Sequence, residues 1–239
     1  SMVLDFGDVK KRLKQAIDRS ADHALLVPAR APALTLQRSG SELLLSFTAA
    51  DGVYTHRSPA AAVCLIDAEA VDTASVSAYL HPLLMAQMPA NVEALRLTLR
   101  AETIEGAYYH YVHGLKKHAG LCQRIAHGHR SRIEVRVDGV RDAELERQVA
   151  SRWRDAYLGT REDLIEDGGE TLRFAYRSGE GEYELTLPAA RVDLIDTDST
   201  VEQLAALLAA RLAPQRAGHD LEVRAYEGVR KGALARARV

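Results

Sequence analysis

Three stretches of the chain repeat apolar residues at spacings of three and four, the pattern of an amphipathic helix. They are Gly7–Arg19, Thr73–Met88 and Ser199–Leu212. Other stretches carry apolar runs or alternate apolar with polar residues, the pattern of a strand with a buried face. Strands are therefore predicted at Leu43–Thr48, Ala61–Ile66, Val92–Glu102, Tyr108–His113, Ser131–Val137 and Leu221–Glu227.

A further helix is predicted at Asp142–Ala156 and a β-hairpin at Thr171–Leu187. The hairpin turns at Ser178–Gly181, where two glycines give the backbone the freedom that a tight turn needs. Helices and strands mixed in this way predict an α+β fold.

Part of this pattern occurs twice. Leu65–Asp67 and Leu194–Asp196 carry the same three residues, 129 positions apart. Each is followed by a helix, a short break and an alternating strand that ends in a glutamate, Glu102 or Glu227. This shared order predicts two diverged copies of one structural unit.

The composition is that of an ordinary globular protein, with 47% hydrophobic and 27% charged residues among 239. A net charge of −2 provides no basic field to attract nucleic acid or an anionic membrane. The sequence has neither an apolar run of the roughly 20 residues that span a bilayer nor an opening like a signal peptide. Two cysteines, Cys64 and Cys122, favour free thiols in a reducing compartment. We therefore expect a cytoplasmic protein without nucleic-acid or membrane partners.

Histidines are concentrated in one segment, with five of the nine between residues 110 and 129. His127 and His129 lie two residues apart, so on a strand both point to the same face. A hairpin partner could bring His113, near the end of the preceding strand, beside them. Three neutral imidazoles with an open fourth position form a catalytic zinc pattern. Pairs of this spacing are also common as surface or core histidines, so the residues alone leave both interpretations open.

Two further features carry candidate chemistry near these histidines. Cys122 lies in a polar loop five residues before His127. A cysteine beside a metal and cationic groups can act as a base or nucleophile, whereas most lone cysteines, as we expect of Cys64, are small buried residues. Asp22 and His23 follow the first helix. That pair suits either an ordinary helix end or a carboxylate that orients an imidazole for proton transfer.

Glu102 and Glu227 end equivalent strands of the two copies. An acid at such a place is usually solvated, but a buried one can accept two N–H donors from a planar heterocycle. Either glutamate is therefore a candidate substrate-binding residue.

Several segments together resemble the 6-pyruvoyl-tetrahydropterin synthase family, which includes the 6-carboxytetrahydropterin synthases of queuosine biosynthesis. Met2–Lys11 and Ala21–Leu26 resemble two of its motifs, and Thr200–Ala205 and Leu99–Thr103 resemble two more. The His-Gly-His segment, with its upstream cysteine and strand histidine, is similar to the same family. Because the motifs occur in both copies, the chain resembles the long, two-domain members.

The resemblance implies the tunnelling fold (T-fold), in which each unit is an antiparallel four-stranded sheet with helices on one face. Such units assemble edge to edge into a barrel, which implies a homo-oligomer. The first unit would comprise residues 1–105 and the second residues 106–239. The zinc-bearing strands of the family would precede Met2 in the first unit, so we expect that unit to be incomplete at its N-terminus and to need a partner edge.

The resemblance also implies one complete site per chain, because the second unit has no Asp-His pair at the equivalent place, where the nearest stretch is Asp193–Asp198. The zinc ligands would be His113, His127 and His129. The proton-transfer residues would be Cys122, Asp22 and His23. The pterin anchor would be Glu227 or Glu102.

The implied activity is a zinc-dependent lyase acting on a small molecule, 7,8-dihydroneopterin triphosphate, with elimination of triphosphate. The product would be 6-carboxy- or 6-pyruvoyl-tetrahydropterin, and the sequence does not choose between them. Two alternatives remain open: a pterin- or purine-binding homologue without turnover, and a reaction like that of dihydroneopterin aldolase at the same site. Candidates for contact with the triphosphate are Lys116, Lys117, Arg124, Arg130 and Lys231.

Overall fold

Residues 5–238, the part of the chain that the computed structural model describes, form four helices and fifteen strands. Residues 2–4 of the N-terminal motif lie outside the described residues. The mixture of helices with largely antiparallel sheets confirms the predicted α+β class. Within the described range, none of the helices has the length and apolar character needed to cross a bilayer.

The helices are α1 (Phe6–Ser20), α2 (Thr73–Met85), α3 (Ala143–Arg152) and α4 (Val201–Leu212). The strands of the first half are β1 (Leu25–Pro28), β2 (Leu34–Ser39), β3 (Glu42–Ala49), β4 (Gly52–Pro59) and β5 (Val63–Ile66). Those of the second half are β6 (Tyr108–His113), β7 (His127–Val137), β8 (Val140–Arg141), β9 (Arg154–Thr160), β10 (Leu164–Asp167), β11 (Thr171–Ser178), β12 (Gly181–Pro188), β13 (Val192–Ile195), β14 (Asp220–Gly228) and β15 (Lys231–Arg238).

Local capping explains where the helices begin. Asp5 accepts hydrogen bonds from the first backbone N–H groups of α1, and Asp72 forms a capping box with Ser75 at the start of α2. The end of α3 differs from the prediction, because the helix stops at Arg152 instead of Ala156. The following residues pair in parallel with β6, so strand pairing overrides the helical spacing there.

The second half is organised around one sheet with helices on one face. β6, β7, β14 and β15 form its antiparallel centre, and β9 and β13 extend it in parallel beyond β6. Both α3 and α4 pack on one face of this sheet. The core between the two layers includes the fully buried side chains of Trp153, Ile133, Val135, Leu204 and Leu221.

A second sheet joins the two halves of the chain. Its strand order is β10-β11-β12-β4-β3-β2. Within this sheet, the two halves meet at the antiparallel pair β12 and β4. At the centre of that pair, His56 lies opposite Leu185, which is 129 positions later in the chain. The contact is therefore nearly symmetric, as in an isologous dimer interface.

The ends of the same two strands show this symmetry again. A Cβ on Gly52, which has a φ of 142°, would lie 2.8 Å from Cγ of Pro188. A Cβ on Gly181, with a φ of 147°, would lie 2.8 Å from Cγ of Pro59. Each glycine thus allows a proline of the other half to approach the backbone closely.

The order of elements repeats between residues 23–85 and 155–212. Each stretch begins at a residue in the left-handed region, His23 or Asp155, both with a φ of 54°. A short strand, a three-stranded meander, a 3₁₀ turn, another short strand and a helix then follow. The two short strands pair in parallel in both cases, β1 with β5 and β9 with β13.

The predicted strand at Val92–Glu102 is wrong as a paired strand. Residues 92–102 run without a ladder to any described neighbour, although the half-buried side chains still alternate at Leu95, Leu97 and Leu99. The equivalent strand β14 is held between β7 and β15. Alternation predicts the buried face of a strand but does not supply its hydrogen-bonding neighbour.

Asp193 connects the end of α3 to α4 through a buried carboxylate. Its side chain is 4% exposed and accepts hydrogen bonds from Arg152, Arg211 and the indole N–H of Trp153. Burial favours a higher pKa, but the hydrogen bonds from the two guanidinium groups and the indole outweigh it and hold the pKa of Asp193 at about 2. The stretch Asp193–Asp198 thus begins with a structural acid.

We predict that Asp193→Asn lowers the free energy of unfolding by about 3 kcal/mol at neutral pH, because two guanidinium groups lose their shared carboxylate. The folded-state pKa lies below the ordinary value of 3.8. The stabilisation is therefore present above pH 3.8 and is lost as the pH falls towards 2. Urea denaturation from neutral to acidic pH measures the difference between the two proteins.

Asp196→Asn is the matched control, since this nearby carboxylate is 77% exposed and pairs with Arg161. Its expected cost is below about 0.5 kcal/mol. Equal losses in the two variants, or a loss for Asp193→Asn that grows at low pH, would contradict the role given to Asp193.

Candidate functional site

Three histidines come together at the end of the central sheet. His113 on β6 lies directly opposite His127 on β7, and His129 follows two residues later on the same face. The ring centroid of His113 lies 4.5 Å from that of His127 and 4.9 Å from that of His129. The pairing of β6 with β7 thus assembles the group that the spacing predicted.

Oxygen atoms occupy the Nδ1 side of each ring. Nδ1 of His127 lies 3.0 Å from the carbonyl oxygen of Arg124, and Nδ1 of His129 lies 2.8 Å from that of Glu227. A carbonyl only accepts, so both rings carry their proton on Nδ1. Nδ1 of His113 lies 2.8 Å from Oγ of Ser199, a hydroxyl that is able to accept the proton of Nδ1.

This arrangement leaves the Nε2 lone pairs free. Nε2 of His113 and of His127 are buried and have no hydrogen-bond partner among the described residues. One candidate ligand atom from each of His113, His127 and His129 lies within 4.8 Å of the other two. Burial lowers the pKa of all three rings, that of His127 to about 3, so the imidazoles are neutral. Neutral, convergent imidazoles oriented by oxygen acceptors fit a transition-metal ion.

Asp22 and His23 reach this group from the first half of the chain. The ring of His23 lies 5.1 Å from that of His127, and its Nδ1 lies 3.0 Å from Oδ2 of Asp22. At that distance the two form an ion pair, although their alignment does not meet hydrogen-bond geometry. The contact with Asp22, and secondly that with Cys122, raises the pKa of His23 to about 10. His23 is therefore a cation held beside a thiol by a left-handed backbone, a conformation typical of functional positions.

Cys122 is a half-buried free cysteine. With His23 and His127 it forms a second group whose candidate ligand atoms lie within 4.8 Å of one another. The sulfur is therefore close to both His23 and His127. Cys64, by contrast, is buried in the core beside Ile66, as predicted.

The turn between β11 and β12 holds the loop that carries Cys122. Glu180 accepts two hydrogen bonds from the buried guanidinium of Arg124 and donates its backbone N–H to Gln123. Tyr176 donates its hydroxyl proton to the carbonyl of Gln123. Bidentate and backbone contacts of this kind keep the residues on either side of Cys122 in place.

The structure separates the two candidate glutamates. Glu227 lies at the histidine group, where its backbone carbonyl accepts from His129 and its carboxylate lies 2.6 Å from Nζ of Lys231. Glu102 lies beside Arg132 in another cavity, and its carbonyl accepts from Arg130. Of the two candidate glutamates, only Glu227 is adjacent to the histidines of the same chain.

Each of the five basic candidates already has an acceptor. Lys116 and Lys117 contact acids of the second half, and Arg124 contacts Glu180. Arg130 bonds a backbone carbonyl and Lys231 pairs with Glu227. A triphosphate would therefore compete with existing ion pairs at these positions.

The sequence analysis missed several residues that position the site. Ser199 orients His113, and its only sequence signal is its place beside Thr200, the N-cap of α4. The sequence predicts the hairpin turn itself. It does not predict the contact of that turn with the loop before His127, because the two segments are far apart in the chain and no local pattern marks the contact. Asp155, at the start of the repeated element order, has the same φ as His23 and pairs with His110 at 2.7 Å.

No family model matches the chain, and no curated protein matches it. Solved structures of 6-pyruvoyl tetrahydropterin synthases are similar to part of it. The enzyme of Plasmodium vivax matches at a TM-score of 0.41 and 16% identity, over 56% of this chain and 91% of that one. A catalytic residue mutant of that enzyme matches at 0.41 and 16%, over 55% and 92%. The Plasmodium falciparum enzyme matches at 0.40 and 14%, over 55% and 92%. Since these TM-scores are low, the proposals below rest on this chain's own residues.

We predict that the chain binds about one Zn²⁺ ion through the three histidines and that His127→Ala abolishes retention of the ion on dialysis. The reason is that His127 belongs to both groups of candidate ligands, so its loss leaves neither group with three ligand atoms. Mass spectrometry of the dialysed protein measures the stoichiometry, and thermal denaturation with and without Zn²⁺ measures the linked stabilisation.

His219→Ala is the matched control, because that imidazole is exposed and pairs with Asp138 away from the group. It should retain the metal and the stabilisation. Full retention of Zn²⁺ by a folded His127→Ala protein would show that the three histidines are not the ligands.

Proposed function

We propose that this chain is a zinc-dependent lyase that acts on 7,8-dihydroneopterin triphosphate and releases triphosphate. The product is 6-pyruvoyl-tetrahydropterin if the side chain is only rearranged, or 6-carboxytetrahydropterin if a carbon–carbon bond of the side chain is also broken and a two-carbon fragment leaves. One observation carries the proposal: Asp22 and His23 from one half of the chain meet Cys122, His127 and the other two histidines from the other half. A metal-type group, a thiol and an oriented imidazole in one place are the parts that such chemistry needs.

His113, His127 and His129 would hold the zinc ion, since their free nitrogens converge and their remaining N–H groups are already bonded. A bound zinc ion supplies a Lewis acid for the side-chain oxygens of the substrate.

Cys122 and His23 would move the protons. Cys122 removes a proton from the substrate side chain as a base, and electropositive neighbours such as the cationic His23 are typical of reactive cysteines. His23 lies close enough to the sulfur to return or relay the proton. Asp22 keeps the imidazole in its orientation, because the carboxylate lies 3.0 Å from Nδ1.

Glu227 would hold the pterin ring. A carboxylate that is mostly buried accepts two parallel N–H donors, and a pterin offers an amide N–H and an amino group side by side. The side chain of Glu227 is 13% exposed and now pairs with Lys231, so the ring would displace or share that ion pair. Glu102 lies in a separate cavity of this chain, which supports Glu227 as the anchor.

We further propose that residues 1–105 and 106–239 are two tandem T-fold units. The repeated element order and the nearly symmetric contact between β4 and β12 support this division. Asp155 occupies the place of His23 in the second unit, which supports one complete site per chain. A second copy of the chain would pair with the segment 92–102, which has no ladder within the described residues, and form a homo-oligomer. The free thiols of Cys64 and Cys122 fit the reducing cytoplasm that we propose as its compartment.

We predict that Cys122→Ala lowers the rate of triphosphate release from 7,8-dihydroneopterin triphosphate about a hundredfold or more and leaves zinc binding intact. The reason is that the variant removes the base but none of the three imidazoles. Release of triphosphate is followed by a coupled phosphate assay on the zinc-loaded protein, with the metal content measured in parallel.

Cys64→Ala is the control, since it removes the other thiol from the core of the first half. It should keep full turnover. No turnover by the zinc-loaded natural chain would overturn the enzymatic proposal in favour of a pterin-binding protein, and loss of zinc in Cys122→Ala would make the sulfur a ligand instead of the base.

We predict that Glu227→Gln raises the KM for the pterin about tenfold, because a neutral amide cannot accept both N–H donors. The kcat should change less, since the glutamate contacts the ring and not the reacting side chain. Steady-state kinetics separates the two constants. Glu222→Gln, on the same strand but paired with Arg224 and Arg236, should leave both constants unchanged.

A further inference from the structure

A cavity borders strands β6 and β7, mainly on the face turned away from the metal-type group, although His129 also contributes to its wall. Side chains alternate along a strand, so β6 directs His113 to one face and Val112 to the other. The cavity has a volume of about 570 Å³ and lies between these strands and the meander of the first half. Its wall is mainly apolar and includes Leu25, Val27, Leu45, Tyr157, Leu185 and Leu187. A volume in this range suits a small organic ligand.

Two residues of the wall, His56 and Tyr111, have a buried polar atom without a hydrogen-bond partner in the described part of the protein, and the ring of Tyr111 packs in the core against Trp153. His56 is 5% exposed, and its Nδ1 is buried without a hydrogen bond from any described residue. Burial lowers the pKa of His56 to about 4, so the ring is a neutral imidazole near pH 7. Leaving such a group unpaired in an apolar setting is unfavourable, and a ligand that bonds it removes that cost.

The symmetric position shows that the fold does not require a polar residue there. His56 lies at the centre of the β4–β12 pair, directly opposite its equivalent in the other half, Leu185. Both side chains line the cavity. Because a leucine fits the same local environment, the imidazole is not explained by packing.

The charged residues at the cavity are already paired. His110 lies 2.7 Å from Asp155, and Arg191 bonds Asp51. Arg130 lies over the ring of Tyr108 and bonds a carbonyl. The described residues of the wall therefore offer no unpaired charge to an ionic ligand, which favours an uncharged occupant.

We infer that this cavity is a second binding site, which takes an uncharged, largely apolar small molecule with one hydrogen-bonding group directed at His56. Its occupant differs in chemistry from the substrate proposed above. The site shares strands β6 and β7 with the metal-type group and lies mainly against their other face, while His129 borders both.

The test uses the uncharged fluorescent probe N-phenyl-1-naphthylamine with the full chain. Fluorescence titration should show saturable binding of about one probe per chain, since the wall encloses one cavity of suitable size. His56→Leu should weaken the binding of this probe about tenfold, because its N–H loses the acceptor. The carbon analogue 1-benzylnaphthalene, added as a competitor, should bind both proteins equally.

Two neighbouring residues of β3 provide a matched pair. Leu45 is 4% exposed and lines the cavity, whereas the preceding residue, Leu44, is 42% exposed on the opposite face. Leu45→Trp should narrow the cavity and weaken probe binding, and Leu44→Trp should not change it. Thermal denaturation shows whether each variant is folded. If Leu45→Trp does not fold, the inference is tested by comparing how His56→Leu binds the probe and its carbon analogue.

Several results would overturn the inference. They are the absence of saturable binding, equal binding by folded Leu45→Trp and Leu44→Trp, and equal loss of both ligands in His56→Leu. Probe binding that falls as the protein concentration rises would also overturn it, by showing that a second copy covers the cavity. Zinc retention and triphosphate release are measured on the same variants, so a failure here is distinguishable from a failure of the proposed activity.

Discussion

The antiparallel pairing of β4 with β12 is the contact on which the candidate site depends. It joins the meanders of the two halves around His56 and Leu185, and ion pairs such as Arg57 with Glu184 cross the same contact. A meander edge left open would expose unpaired N–H and C=O groups, and here each half covers the edge of the other. The contact also sets the end of α1 opposite the loop that carries Cys122, so the fold and the site are stabilised together.

The rings of the three histidines are already oriented by hydrogen bonds within the protein. Each Nδ1 is bonded to an oxygen, which sets the ring orientation and leaves Nε2 with its lone pair directed inwards. A core histidine without a ligand would be expected to bond both nitrogens, yet Nε2 of His113 and of His127 find no partner among the described residues. The supporting oxygens come from Ser199, a loop carbonyl and a strand carbonyl, so three separate parts of the chain determine one donor set.

The two faces of one sheet carry side chains of different chemistry. Because side chains alternate along β6 and β7, the histidines face the helix side while Val112 and Gly128 face the apolar cavity, and only His129 of the three histidines also borders that cavity. The same period separates the proposed proton chemistry from the inferred apolar site. Substitutions on one face therefore leave the other accessible to independent measurement, provided that the register of the β6–β7 pair is kept.

Local patterns determined the helices α1, α2 and α4, the hairpin at Thr171–Leu187 and the α+β class, because spacing and turn residues act over a few neighbours. The spacing of His127 and His129 likewise placed both rings on one face. Only the tertiary structure decided which glutamate lies beside them and that residues 92–102 lack a pairing strand among the described residues. These outcomes depend on which distant strands become neighbours, and no short-range pattern encodes the partner of a strand edge or the far side of a loop.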